Sequence, residues 1–314
     1  MRNLLLGVIS LFLSTTLSAQ PAEDYDPPRT EYDHPDLQGS WATRSITPLE
    51  RPTSLPNLII TSEEAEAYAE VFVQFAFNDF ADPDTFIQNI TNMNEIYGEL
   101  RSSAIINPEN GRMPFSEIGL QVVAQVRQRD LTLFDHPEQR PLDERCLGSI
   151  GLAPYRPLLV NVPRKIVQTE DYVMIYTEAP SSYRIIRITE DRLEYPTASF
   201  GGYSTAVWEG DTLVIETENF RGDDPARLVF GRSVLIGEQT RVKERLTRIS
   251  HEEILYEFSV EDPEFYNELW NGEFTFQLDV DVSYEYSCHE GNYSMPGILR
   301  GGQMEQVRIA AGNN

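Results

Sequence analysis

Apolar residues change their period partway along the chain, and the change divides it into a helical first part and a β-rich second part. Over about 62–80, Ala65, Tyr68, Ala69, Phe72, Phe75 and Ala76 recur at three- and four-residue spacing, the stripe of an amphipathic helix. Thr61 and Glu64 precede it at capping-box spacing, so each can satisfy the other's free backbone N–H. Phe86, Ile90, Met93, Tyr97 and Leu100 predict a second helix over about 84–101. After the turn Pro108-Glu109-Asn110-Gly111, Leu120, Val123 and Val126 predict a third, starting near Ser116. From position 165 onward the period falls to two. Strands are expected over 166–168, 172–177, 184–188, 205–208, 212–220, 232–236, 240–249, 254–260, 274–278 and 284–288.

The joints Glu209-Gly210-Asp211, His251-Glu252 and Glu261-Asp262-Pro263 are short, and short joints make neighbouring strands antiparallel. Many strands without crossover helices point to a barrel or a sandwich, and closure removes exposed edges. The expected fold is therefore mainly β: an antiparallel, calycin-like up-and-down barrel with an N-terminal helical segment packed against it. Gly39-Ser40-Trp41 agrees, because many calycin barrels begin with Gly-x-Trp and use the indole to close one end. Residues 37–314 read as a single barrel domain with a helical insertion at about 61–130. Residues 20–36, rich in Pro, Asp and Tyr and without periodicity, read as a disordered lead-in.

The first nineteen residues read as a signal peptide. Arg2 precedes a run from Leu4 to Leu13 that is almost wholly apolar, and Leu17-Ser18-Ala19 offers a small residue for cleavage. That run falls well short of the ~20 residues that span hydrocarbon, so a periplasmic or secreted protein is expected, with no membrane insertion after cleavage. Such a compartment permits oxidation, and the chain has two cysteines, Cys146 and Cys288. A disulfide is the default expectation; a nucleophilic thiol at Cys288, beside His289, is the alternative.

Charge narrows the partners. Fifty Asp and Glu against 25 Lys and Arg give a net charge of −25, which repels nucleic acid and anionic lipid. A small-molecule ligand is the expected partner, and a structural or envelope interaction protein with a filled barrel is a further reading. The chain lacks His-x-x-x-His, Cys-x-x-Cys, a calcium loop, a Gly-x-Ser-x-Gly elbow and a phosphate loop, so no metal or cofactor is implied.

Two features carry candidate chemistry. In Arg241-Val242-Lys243-Glu244-Arg245-Leu246, alternation turns Glu244 inward with Val242 and Leu246. An inward carboxylate must be paired, hydrogen-bonded or protonated. It is either a general acid or base or one half of a buried ion pair, for which Arg184, in phase with Ile186 and Ile188, is the candidate partner. The second feature is the segment from Tyr284 to Tyr293, where a strand ended by Gly291 would place His289 at a barrel mouth, able to pass protons near neutral pH.

Further segments carry a resemblance. Asn107-Pro108-Glu109-Asn110-Gly111-Arg112-Met113-Pro114, Arg145-Cys146-Leu147, the stretch from Ile166 to Val173, Trp208-Glu209-Gly210-Asp211-Thr212-Leu213-Val214, Glu244-Arg245-Leu246-Thr247-Arg248 and Tyr284-Glu285-Tyr286-Ser287-Cys288-His289-Glu290-Gly291-Asn292-Tyr293 resemble the signature segments of a large family of exported bacterial proteins with no settled biochemical role. The resemblance spans most of the chain after the signal. It implies a shared architecture and a common site rather than a particular reaction. Members of that family often carry Arg-Pro-His shortly before the Trp-Glu-Gly-Asp segment. Here Leu193-Glu194-Tyr195-Pro196-Thr197 stands instead, so an activity depending on that histidine would be lost or altered.

The expectation that results is an exported barrel enclosing a small apolar or aromatic molecule. Metal-free acid-base chemistry on it (lyase, isomerase or hydrolase) is one expected activity, with Glu244, His289 and Glu290 passing protons. Non-catalytic, lipocalin-like carrying is the alternative. Arg145, Tyr172, Arg184, Trp208, Asn292 and Tyr293 are the candidate ligand-binding residues.

Overall fold

The computed structural model describes residues 25–76, 91–157, 162–179, 181–194, 197–229, 232–280 and 283–312. The expected signal peptide and the first part of the second expected helix lie outside them. The first part of the chain contributes β1 (Gly39–Ala42), β2 (Ile59–Ile60), α1 (Ser62–Ala76), β3 (Glu95–Ile96), β4 (Glu99–Arg101), β5 (Ile105–Asn107) and α2 (Glu117–Thr132). The second contributes β6 (Arg164–Gln168), β7 (Tyr172–Thr177), β8 (Ser182–Ile188), β9 (Tyr203–Glu209), β10 (Thr212–Glu218), β11 (Ala226–Val229), β12 (Arg232–Leu235), β13 (Arg241–Arg248), β14 (Glu253–Glu261) and β15 (Trp270–Leu278). Two helices, α3 (Cys288–Gly291) and α4 (Ser294–Ala310), follow.

Nine strands close into a barrel in the order β1-β6-β7-β8-β9-β10-β13-β14-β15, and β15 returns to β1 through Trp41↔Leu278 and Ala42↔Gln277. The barrel is mixed rather than fully antiparallel. β8 and β9 run parallel through Arg187↔Thr205 and Ile188↔Ala206. The β11–β12 hairpin forms a separate ribbon between β10 and β13.

Alternation places the core. Along β13, Val242, Glu244 and Leu246 are buried while Arg241 and Lys243 are exposed. Tyr256, Phe258, Phe274, Phe276 and Trp270 from β14 and β15 pack together inside, with ring centroids of Tyr256 and Phe276 5.2 Å apart and those of Phe258 and Trp270 5.5 Å apart. Burial of each such ring is worth roughly 2–3 kcal/mol, which makes this wall the main hydrophobic anchor. Trp41 is fully buried and donates from Nε1 to the Leu37 carbonyl at 2.9 Å.

The capping box at α1 is formed: Thr61 N–H donates to Glu64 Oε2 at 2.9 Å and Glu64 N–H to Thr61 Oγ1 at 3.2 Å. Ala65, Tyr68, Ala69 and Phe72 pack on Ile46, Leu55, Ile60 and Met93, a cluster apart from the barrel core. Residues 91–101 are not helical. They form β3 and β4, joined by Tyr97-Gly98 with φ of 52° and 79°, because Gly98 interrupts any helix there and Met93 and Ile96 belong to different clusters. In α2, Val123 and Val126 pack toward the barrel core, but Leu120 is 57% exposed, so its face is narrower than the spacing predicts.

Residues 25–36 are folded rather than loose. Arg29 bridges to Asp211 at 2.7 Å, Thr30 N–H donates to the His34 carbonyl at 2.8 Å, and His34 stacks on Trp208 with centroids 4.9 Å apart. Single anchors of this kind leave no periodic trace. The strand expected over 284–288 is absent: residues 283–287 are irregular and Cys288 opens α3. Tyr284, Glu285 and Tyr286 have no face to bury and remain exposed, bound to the barrel by Tyr176 Oη→Tyr284 O at 3.2 Å and Ser181 Oγ→Tyr286 O at 2.8 Å. Cys146 and Cys288 form the expected disulfide, with Cα atoms 5.8 Å apart. No helix among the described residues is long and apolar enough to cross a membrane.

Candidate functional site

The barrel interior holds charge. Glu244, 0% exposed, accepts from Arg184 Nη1 at 2.9 Å and Nη2 at 2.6 Å, and from the Tyr256 hydroxyl at 2.7 Å. Arg184 Nη2 also reaches Ser204 Oγ and Thr217 Oγ1, at 3.4 and 3.3 Å. Burial opposes the charge on Arg184, but the Glu244 carboxylate and the neighbouring tyrosines outweigh it and hold the guanidinium above its ordinary value. Burial, then Glu244, pushes the Tyr256 hydroxyl far above the ordinary tyrosine range, so it stays a proton donor.

A buried loop enters this end of the barrel. Residues 152–157 are all buried, which loops rarely are, because their backbone groups must find partners. Here Tyr155 N–H donates to Tyr256 Oη at 2.8 Å, extending the chain of bonds that ends on Glu244. The Tyr155 ring lies between two cations, its centroid 4.7 Å from Arg164 Cζ and 5.0 Å from Arg184 Cζ. Upstream, the turn Ser149–Gly151 caps the barrel end: a Cβ on Gly151 would fall 1.6 Å from Ser182 Oγ and 3.1 Å from Thr177 Cβ, so only glycine lets the backbone sit this close. The disulfide at Cys146 anchors that cap a few residues away.

Arg164 is the unusual member. It is 1% exposed, and across the β6–β7 register it faces Thr177. Its Nη1 donates only to the Val162 carbonyl, at 3.4 Å, and its Nε and Nη2 have no acceptor among the described residues. Its charge rests on the rings of Tyr155 and Phe276, the latter with its centroid 5.2 Å away. Thr177 Oγ1 and the Tyr155 hydroxyl are likewise buried without a hydrogen-bond partner. Burial lowers the Arg164 guanidinium below its ordinary value, and in the adjoining layer it brings Arg156 and Arg227 down to about 10. A chain with a net charge of −25 thus buries Arg156, Arg164, Arg184 and Arg227 in one contiguous region.

The residues singled out in the sequence do not converge. Glu244 and Arg184 are together, with every hydrogen bond of the carboxylate given to the protein. Trp208 shares the inward phase of Ser204 on β9 but lies four residues on, roughly 13 Å along the strand. Tyr172 begins β7 on the outside and is exposed. Arg145 pairs with Asp224 at 3.5 Å, and Asn292 donates to the Glu144 carbonyl at 2.8 Å, so both secure the segment around the disulfide. Tyr293 is 84% exposed. His289 and Glu290 are exposed and line an outer cleft of 540 Å³ with Tyr176, Tyr183 and Tyr286. Glu244 is sealed in the interior, so these three groups do not act on one substrate atom. A larger cleft, 1270 Å³, lies between α1, the β3–β4 turn and Glu253.

Arg164, Tyr155 and Tyr256 were not singled out by sequence. Arg164 had a signal, being in phase with Ile166 in Arg164-Lys165-Ile166, and Tyr256 is in phase with Ile254 and Phe258. Tyr155 lies in a loop and had none. Fold and site together define a closed, mixed nine-strand barrel with a cationic, aromatic-lined end. No family model matches the chain, and no curated protein matches it.

Proposed function

We propose that this protein is an exported binding protein that holds a small molecule at the capped end of its barrel, beneath residues 148–155. Carrying is favoured over acid-base catalysis by the state of Glu244. It is fully buried and ion-paired to Arg184, with the Tyr256 hydroxyl on the same carboxylate, so no substrate reaches it from solvent without breaking that pair. The observation that carries the reading is the set of buried donors left unspent at Arg164, Thr177 and Tyr155. Natural interiors pair almost all such groups with protein, ordered water or a bound group, and a cluster of them on one cation is where a bound group has most to satisfy. Export is supported by the N-terminal charge and apolar pattern and by the disulfide, and the segments resembling an exported bacterial family support it in the same sense. The expected calycin-like relationship belongs to this reading as well, through the Gly39-Ser40-Trp41 opening.

The test is to purify the protein from its host, extract what it holds, and incubate that compound with fresh protein. Recovery of the compound unchanged is expected. Conversion to a product would refute carrying and restore a catalytic reading, with the outer cleft of His289 and Glu290 as the place to look.

A further inference from the structure

We propose that the molecule held at the capped barrel end is a small organic carboxylate, and that the Nε–Nη2 edge of Arg164 receives its carboxylate group. The inference rests on the binding reading above and specifies the ligand's chemistry. Nε–H and the neighbouring Nη2–H point in parallel from one edge of a planar guanidinium, at the spacing of two carboxylate oxygens. Both of these donors on Arg164 are buried and without an acceptor among the described residues, whereas Nη1 faces the Val162 carbonyl.

Charge points the same way. Inside the barrel, Arg184 is neutralised by Glu244, and no carboxylate among the described residues pairs with Arg164. A water molecule would satisfy the donors but leave the cation uncompensated, and an unpaired buried charge costs several kcal/mol. The cation–π contacts to Tyr155 and Phe276 recover roughly 2 kcal/mol of that, less than the whole. An anion completes the balance. Thr177, whose hydroxyl is also buried and unpaired, is the cross-strand neighbour of Arg164, and the rings of Tyr155 and Phe276 lie against the guanidinium. A neutral aromatic ligand would leave Arg164 as it is.

The test uses the full chain freed of bound material and a matched series of probes: formate, acetate and benzoate, each against its neutral amide, at constant ionic strength. Binding is read by calorimetry and by the shift in Tm. At least one carboxylate is expected to bind about tenfold or more tightly than its amide, since a charge-assisted bidentate pair outweighs a neutral one. That preference should fall to about unity in Arg164→Gln. Arg164→Met, whose side chain needs no counter-ion, guards against loss of fold and should show the same collapse with an unchanged circular dichroism spectrum. Equal binding of acid and amide, no carboxylate binding at all, or discrimination that survives both substitutions would overturn the proposal. If the protein from its host carries a neutral compound at this end, the carboxylate inference falls while the binding reading stands. If it carries nothing and no probe binds, both fall.

Discussion

Two arginines a few ångströms from one tyrosine ring are predicted to respond oppositely to the same substitution. Arg184 is the one cationic partner, among the described residues, of a carboxylate with no access to water, so Arg184→Met and Glu244→Gln should each destabilise the fold by about 3–5 kcal/mol, as loss of one half of a buried pair does. Arg164 has no carboxylate to strand, and Arg164→Met should change stability by no more than about 1 kcal/mol, or raise it. Urea denaturation of the three variants decides this, and a large loss in Arg164→Met would mean that its charge is compensated after all. Proton release gives an independent check. Burial holds Tyr155, Tyr256 and Tyr266 above the ordinary tyrosine value, so the fold retains their protons while unfolded tyrosines lose theirs near pH ~10. The stability they contribute is full below that pH and declines as pH rises beyond it. Alkaline titration followed by tyrosine absorbance should show these three ionising only as the fold is lost. Smooth ionisation of all fifteen before unfolding would contradict their burial.

At the scale of elements, the joint between cap and C-terminal helices is the part most exposed to test. Neither α3 nor α4 buries a residue, so residues 288–310 depend on the disulfide and on single bonds such as Asn292 to the Glu144 carbonyl. Cys288→Ser should therefore speed amide exchange over 288–310 by an order of magnitude or more, while β6–β15 keep their protection. Loss of protection throughout the barrel would show the disulfide to be part of the core's stability. Gly151→Ala should lift the cap from Ser182 and Thr177, costing about 1–3 kcal/mol and deprotecting the cap amides first. These elements also mark what sequence could reveal. Alternation located the strand wall and the inward turn of Glu244, and spacing located the capping box, because a two-residue or three-residue period is a direct projection of local geometry. Alternation misread 284–288, where tyrosines alternate but no second layer covers them, and helical spacing misread 91–101, where Gly98 turns the chain before a helix can form. The parallel β8–β9 contact and the Tyr155 loop depend on contacts far apart in sequence, and no local period encodes them. Arg164 was within reach: a cation in phase with Ile166 is as anomalous as Glu244 in phase with Val242.

For the whole molecule, charge is sorted against its own average. The net charge of −25 lies largely outside, while the barrel end and its adjoining layer bury four guanidiniums, Arg184 paired with Glu244, Arg156 and Arg227 beside the acids Asp143 and Asp224, and Arg164 with no carboxylate among the described residues. Such an arrangement gives little stability for its own sake, since apolar residues of like volume pack as well or better. It has a use if an anion joins it. An acidic exterior would also discourage nonspecific anion binding and leave the interior as the selective site. The most direct measurement is native mass spectrometry of the protein taken from its host without denaturation, beside Arg164→Gln prepared in the same way. One intact small acid per chain on the wild type, absent from the variant, is the predicted result. A bare polypeptide mass for the wild type, or the same adduct on both proteins, would contradict it.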